Sequence, residues 1–186
     1  MFLDPFVFGD GTLLYDLTRK QALVVHGDIV SRIPGIVASL SRTLMDDSVV
    51  LGTSPRSDAE AAGEWLAARS RLVEVERPAD PGPYWSDRPD ISVPTKSACC
   101  LVGLFFGECL RSQLPEAEWK LDTSDQRHMY YHHTVLQIAG STEMLEPFSI
   151  VMNFVRGRLL RADPRTLGSL FDIWVELLSG KGYPSP

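Results

Sequence analysis

Three of the four histidines, His128, His132 and His133, fall in one short stretch together with Asp122 and Asp125. These are metal-ligand residue types. On a helix, His128 and His132 would share a face. The stretch reads instead as a turn leading into a strand, which would set them two pleats apart, roughly 13 Å, too far for one ion unless the chain bends. His133 would then point to the opposite side. With no HExxH motif, the three remain candidates for a metal, and surface or pairing histidines are the favoured reading. No cofactor is implied.

Nucleophilic chemistry has little to start from. No GxSxG motif occurs, and Cys99, Cys100 and Cys109 lie in an apolar helical stretch, a setting that raises a thiol pKa and makes it inert. Gly9-Asp10-Gly11 has no GK[ST] and no helix opening behind it, so it reads as a tight turn rather than a phosphate loop. Glu108 shares a face with Leu101, Leu104 and Phe105 at helical spacing, which makes it a buried structural acid. A buried carboxylate must be paired, and Lys120 or Tyr130 is the expected partner. A catalytic role would need a second carboxylate across a cleft, and the sequence identifies none. No catalytic residue is assigned.

The 186 residues suffice for one core without a disulfide or metal. A formal net charge of −6 disfavours nucleic acid and anionic membranes, which are bound through clustered Lys and Arg. Three cysteines gathered in one apolar run are unlike a secreted disulfide framework. The start, MFLDPFVFGD, lacks the basic region of a signal peptide. The apolar run near Cys99, about 14 residues, is short for a bilayer. These features predict a cytoplasmic protein whose oligomeric state is open.

Periodicity places these residues on an α+β domain, an antiparallel sheet with helices packed on one side, spanning 1–186. In the N-terminal half, 1–76, two short strands flank Gly9–Gly11, a turn covers Leu17 to Gln21, and Ala22–Val25 forms a strand. A helix follows over Ser31–Met45, with Pro34 in its first turn, and Val49–Leu51 reads as a strand. A second helix opens on the box Ser57-Asp58-Ala59-Glu60, and Leu72–Glu76 alternates as a strand.

Five prolines in 77–94 forbid regular structure there. This loop carries Tyr84, Trp85, Asp87 and Asp90, and aromatic anchors edged by acids suit a protein partner. In the C-terminal half, 95–186, a central helix capped by Thr95 or Ser97 ends before Pro115. Trp119 opens a strand that pairs with Tyr130–Ile138. Pro147 starts a helix whose end carries Arg156, Arg158 and Arg161, where they suit its dipole. Thr166 caps a last helix that stops at Gly180.

From Leu101 onward the chain reads GLFFGECL at Gly103 to Leu110, then Arg111, a polar spacer, Trp119 and a second strand, with Pro147 opening a helix. This order resembles small bacterial proteins with a G-x-x-x-G-E-x-[LI]-R…W helix–strand pattern, among them immunity proteins of polymorphic toxin systems. The likeness runs from Leu101 to Gly157. It implies a non-catalytic cytosolic protein that binds another protein, a basic toxin domain being one such partner. A small metal-dependent hydrolase using the histidines, or a regulatory homodimer formed through the Trp174 helix, are the alternatives.

Overall fold

A computed structural model describes residues 14–74 and 89–181. The first helix, α1 (Arg19–Asp46), starts well before the predicted position. Thr18 accepts from the Gln21 backbone while the Gln21 side chain accepts from Thr18, a capping box that turns the expected turn and strand at Leu17–Val25 into helix. Ala22, Ile33, Leu40 and Leu44 continue one buried stripe along it. Pro34 therefore lies in the helix interior, on the exposed side, where water can take up the carbonyl of Val30 that its missing N–H leaves open. Leu14–Asp16 is a single 3₁₀ turn rather than strand. The hairpin expected around Gly9–Gly11 lies outside the described residues.

Helix α2 (Pro55–Arg69) begins one residue after its cap, Ser54, whose hydroxyl accepts from the Ser57 backbone. The true cap thus sits one turn upstream of the Ser57–Glu60 box, with Pro55 at the first helical position it favours. Val49–Leu51 finds no strand partner among the described residues, and the Val49 N–H instead donates to the Leu44 carbonyl at the end of α1. The strand expected over Leu72–Glu76 is described only as β1 (Leu72–Val73), antiparallel to β2 (Asp90–Ile91).

Helix α3 (Val93–Gln113) is capped by Ser92 rather than by Thr95 or Ser97, so Pro94 stands in its first turn. Strands β3 (Ala117–Leu121), β4 (Thr134–Ile138) and β5 (Met144–Leu145) form an antiparallel meander. The expected partner strand thus starts at Thr134, because Tyr130–His133 belongs to a turn. Gly140, at φ +82°, makes the tight return to β5. Then come α4 (Pro147–Arg161) and α5 (Leu167–Leu178), the latter with the expected Thr166 cap.

The fold is α+β, with five α-helices and two small antiparallel sheets among the described residues. Helix α3 is its axis: α1, α2 and α4 all pack on it, and Val102, Phe106 and Leu110 are fully buried among them. Gly63 lets α2 and α5 approach, since a Cβ there would lie 2.8 Å from Leu167. By length and composition both α1 and α3 could cross a bilayer. Their surroundings differ, with 61% of the apolar window of α3 buried and only 11% of that of α1.

Candidate functional site

The histidine stretch is a closed turn organised by Asp122. The Asp122 N–H donates to the His133 carbonyl at 2.9 Å, and the His132 N–H donates to the Asp122 carbonyl at 2.8 Å. Inside this loop one oxygen of the buried Asp122 accepts from the backbone and hydroxyl of Ser124 at 2.9 and 2.7 Å. The other meets His128 Nδ1 at 2.6 Å. Burial alone would raise the Asp122 carboxyl, and the Ser124 and His128 bonds outweigh it, so the group is held below its ordinary range. A carboxylate–imidazole pair can orient a general base. Ser124 donates its hydroxyl to Asp122 rather than to the imidazole, and among the described residues no third group completes a nucleophile–base–acid chain.

The other histidines turn inward. His132 adopts φ +64°, stacks on Tyr131 with ring centroids 3.9 Å apart, and has both ring nitrogens buried with no hydrogen-bond partner among the described residues. His133 is buried beside Tyr130, and burial pushes it down to about 4, so it is neutral at pH 7. His26, from α1, meets the Thr134 hydroxyl at 3.1 Å, and burial lowers it too. Among the described residues, no three His, Cys, Asp or Glu side chains are placed to hold one metal ion.

Glu146 was not singled out by sequence. It caps α4, its carboxylate accepting from the Ser149 N–H at 2.6 Å. It is 1% exposed, and burial raises the carboxyl to about 7 against those cap bonds. A Glu immediately before a helix-opening Pro was the available signal.

Glu108 is half-buried, and its partners are Trp119 and Arg111 rather than Lys120 or Tyr130. One oxygen, Oε1, accepts from Trp119 Nε1 at 2.7 Å and from Arg111 at 2.8 Å. The pattern that carries the family resemblance thus has a packing basis. A Cβ on Gly103 would lie 3.1 Å from Phe148, and one on Gly107 would lie 2.4 Å from Trp119. The two glycines, Glu108, Arg111 and Trp119 together dock α3 against β3 and the start of α4. Cys99 and Cys109 lie in the same helix, both buried and both pushed up to about 12, chiefly by burial. They are inert thiols.

Of the predicted partner-binding residues, Tyr84, Trp85 and Asp87 lie outside the described residues. Asp90 is committed within the fold, with Lys96 at 2.7 Å and Arg156 at 3.0 Å. Burial opposes ionisation there, and hydrogen bonds from these two cations overcome it, holding the carboxyl at about 2. Arg156 in turn stands in the wall of a groove of about 470 Å³ between α4 and α5. Its bed is apolar, formed by Ile150, Phe154, Leu170, Ile173 and Trp174, and its rim carries Asn153, Arg156, Arg161 and Arg165 around Asp163. Asp163 is bound by the Arg165 guanidinium at 3.0 Å, and hydrogen bonds from Arg165 hold it at about 2. Arg161 is exposed and has no salt bridge among the described residues. By sequence alone, Arg156 and Arg161 read only as complements to a helix dipole. The signal for a groove lay in Asp163-Pro164, which ends α4 and lets α5 return beside it.

The chain matches no family model, no curated protein and no solved structure.

Proposed function

We propose that this protein is a non-catalytic protein-binding module, and that the α4–α5 groove receives an acidic, apolar segment of its partner. The observation that carries this reading is the groove itself, a cationic rim over an apolar bed in a chain of net charge −6. An aromatic floor with arginines at its edge is the residue chemistry enriched at energetic centres of protein interfaces. Among the described residues, several groups that could have served catalysis are engaged within the fold. Glu108 binds Trp119, Asp122 binds Ser124 and His128, and the thiols of Cys99 and Cys109 are held protonated.

Display of a random peptide library against the intact protein tests the reading. Enrichment of peptides that combine Asp or Glu with Leu, Phe or Trp is expected. Trp174→Ala should weaken the selected peptides by about 2 kcal/mol, roughly thirtyfold, as loss of an aromatic anchor does. Arg161→Glu should weaken acidic members most. Affinities untouched by both substitutions would remove the groove from the binding surface.

An immunity role in the cytosol is the finer form of the proposal. It rests on the helix–strand resemblance to immunity proteins of polymorphic toxin systems. The adjoining gene is the direct check: a large secreted toxin beside it supports the role, and a metabolic operon counts against it.

A further inference from the structure

One side of α1 is left uncovered by the described residues. The helix has 28 residues, roughly 42 Å of length, and its buried stripe accounts for only one side. The opposite side presents Lys20, Val24, Gly27, Ser31, Gly35, Ser39, Arg42 and Asp46, all exposed. A Cβ at Gly27 or Gly35 would meet nothing within 4 Å, so no neighbour among the described residues accounts for these glycines. Glycine in a helix interior costs about 1 kcal/mol against alanine. Val24 at 65% exposure, Leu23 and Met45 add apolar surface that the described residues leave uncovered.

The charges decide what covers this face. No acid stands in the first turn of α1 and no base in its last. Instead Arg19 and Lys20 open the helix and Asp46 closes it, each at the end whose dipole disfavours its charge. Lys20 and Asp46 have no ion pair among the described residues. Beside an antiparallel copy, the same charges become complementary, and so do the two helix dipoles. The register is symmetric as well. Ile33 is the midpoint between Lys20 and Asp46, between Gly27 and Ser39, and between Ser31 and Gly35. A twofold axis at that level therefore sets Lys20 against Asp46 of the second copy at both ends. It also sets Ser31 against Gly35 near the centre, where small side chains permit close approach, Val24 against Arg42, and Gly27 against Ser39 toward the edges. A C2 contact is self-complementary in just this manner.

We infer that two copies of this chain associate through antiparallel α1 helices, with Lys20–Asp46 pairs at both ends and the Gly27–Ser39 stripe at the seam. This surface is separate from the groove.

Sedimentation equilibrium of the intact protein over a range of concentrations tests the inference, with circular dichroism to confirm folding of each variant. A concentration-dependent dimer is expected. Lys20→Glu should weaken it about tenfold, since two pairs turn repulsive, and the double variant K20E/D46K should restore it. Both single changes suit the helix dipole of the monomer, so loss of folding does not confuse the result. Gly35→Trp, which meets open space in the monomer, should abolish the dimer. A monomer at every concentration overturns the inference. So does a dimer that ignores Gly35→Trp, or one weakened by K20E that the double variant fails to rescue. Co-flotation of a monomeric protein with phosphatidylcholine vesicles would also overturn it, by showing that lipid covers the face.

Discussion

Gly107→Ala is expected to destabilise the fold by about 2–3 kcal/mol, a large effect for one methyl group on a helix. Overpacking a filled core costs about 1–3 kcal/mol, and alanine returns about 1 kcal/mol of helix propensity. The balance is tipped by the Trp119 ring, whose Cη2 and Cζ2 would lie 2.4 and 2.5 Å from the new Cβ. The ring cannot give way without cost, because its Nε1 donates to Glu108 at 2.7 Å. A hydrogen bond to a charged group contributes about 1.5–3 kcal/mol, and displacing the indole forfeits it. Urea unfolding checks the prediction, and a double-mutant cycle identifies its cause. In a Trp119→Leu background, which has no ring to strike, Gly107→Ala should be neutral or stabilising. A single variant within 0.5 kcal/mol of the parent, or an equal loss in both backgrounds, would mean that the G-x-x-x-G-E…W pattern is not a packing unit.

That pattern shows what could be read from the residues alone and what could not. Glu108 was legible as a tied acid because a carboxylate on an apolar helix face needs a partner. Its partner was not legible, since Trp119 reaches it only once β3 folds back under α3. Helices α4 and α5 were announced by Pro147 and Thr166, local signals that act within one turn. Helix α1 was announced just as locally, by Thr18 and Gln21, but the β-branched residues around Val24-Val25 and the break at Gly27 imitate a strand and its end. Asp122 and His128 come together only because the chain bends through the turn between them, and a strand reading forbids that pair. The groove is least local of all. Its rim and floor belong to two helices whose angle is set by the packing of α5 on α2, through Gly63 and Leu167. Spacing within either helix carries no record of that angle.

Glu146 and His133 should pull the stability of this fold in opposite directions over one pH range. Burial raises the Glu146 carboxyl from 4.5 to about 7, so the folded chain keeps a proton that the unfolded chain releases. Stability from this group is therefore complete below pH 4.5 and declines as pH rises to 7. Burial lowers His133 from 6.5 to about 4, against the pull of Asp122, so the folded chain refuses a proton that the unfolded chain accepts. Its contribution is complete above pH 6.5 and declines as pH falls to 4. Each amounts to at most about 3 kcal/mol at 1.36 kcal/mol per pH unit. The two nearly cancel, and the parent protein should show a flat profile between pH 4.5 and 6.5. Glu146→Gln keeps an acceptor for the Ser149 N–H and removes the charge, which uncovers the histidine. Denaturant unfolding of this variant should gain about 2–3 kcal/mol between pH 4 and 6.5, with His26, also lowered by burial, adding in the same sense. Above pH 8 the variant should exceed the parent by a similar amount. Asp90 and Asp122, both held below their ordinary range, act at lower pH and leave this window alone. Parallel profiles for parent and variant from pH 4 to 8 would show that Glu146 is ionised at no cost, its charge met by a group at the start of α4.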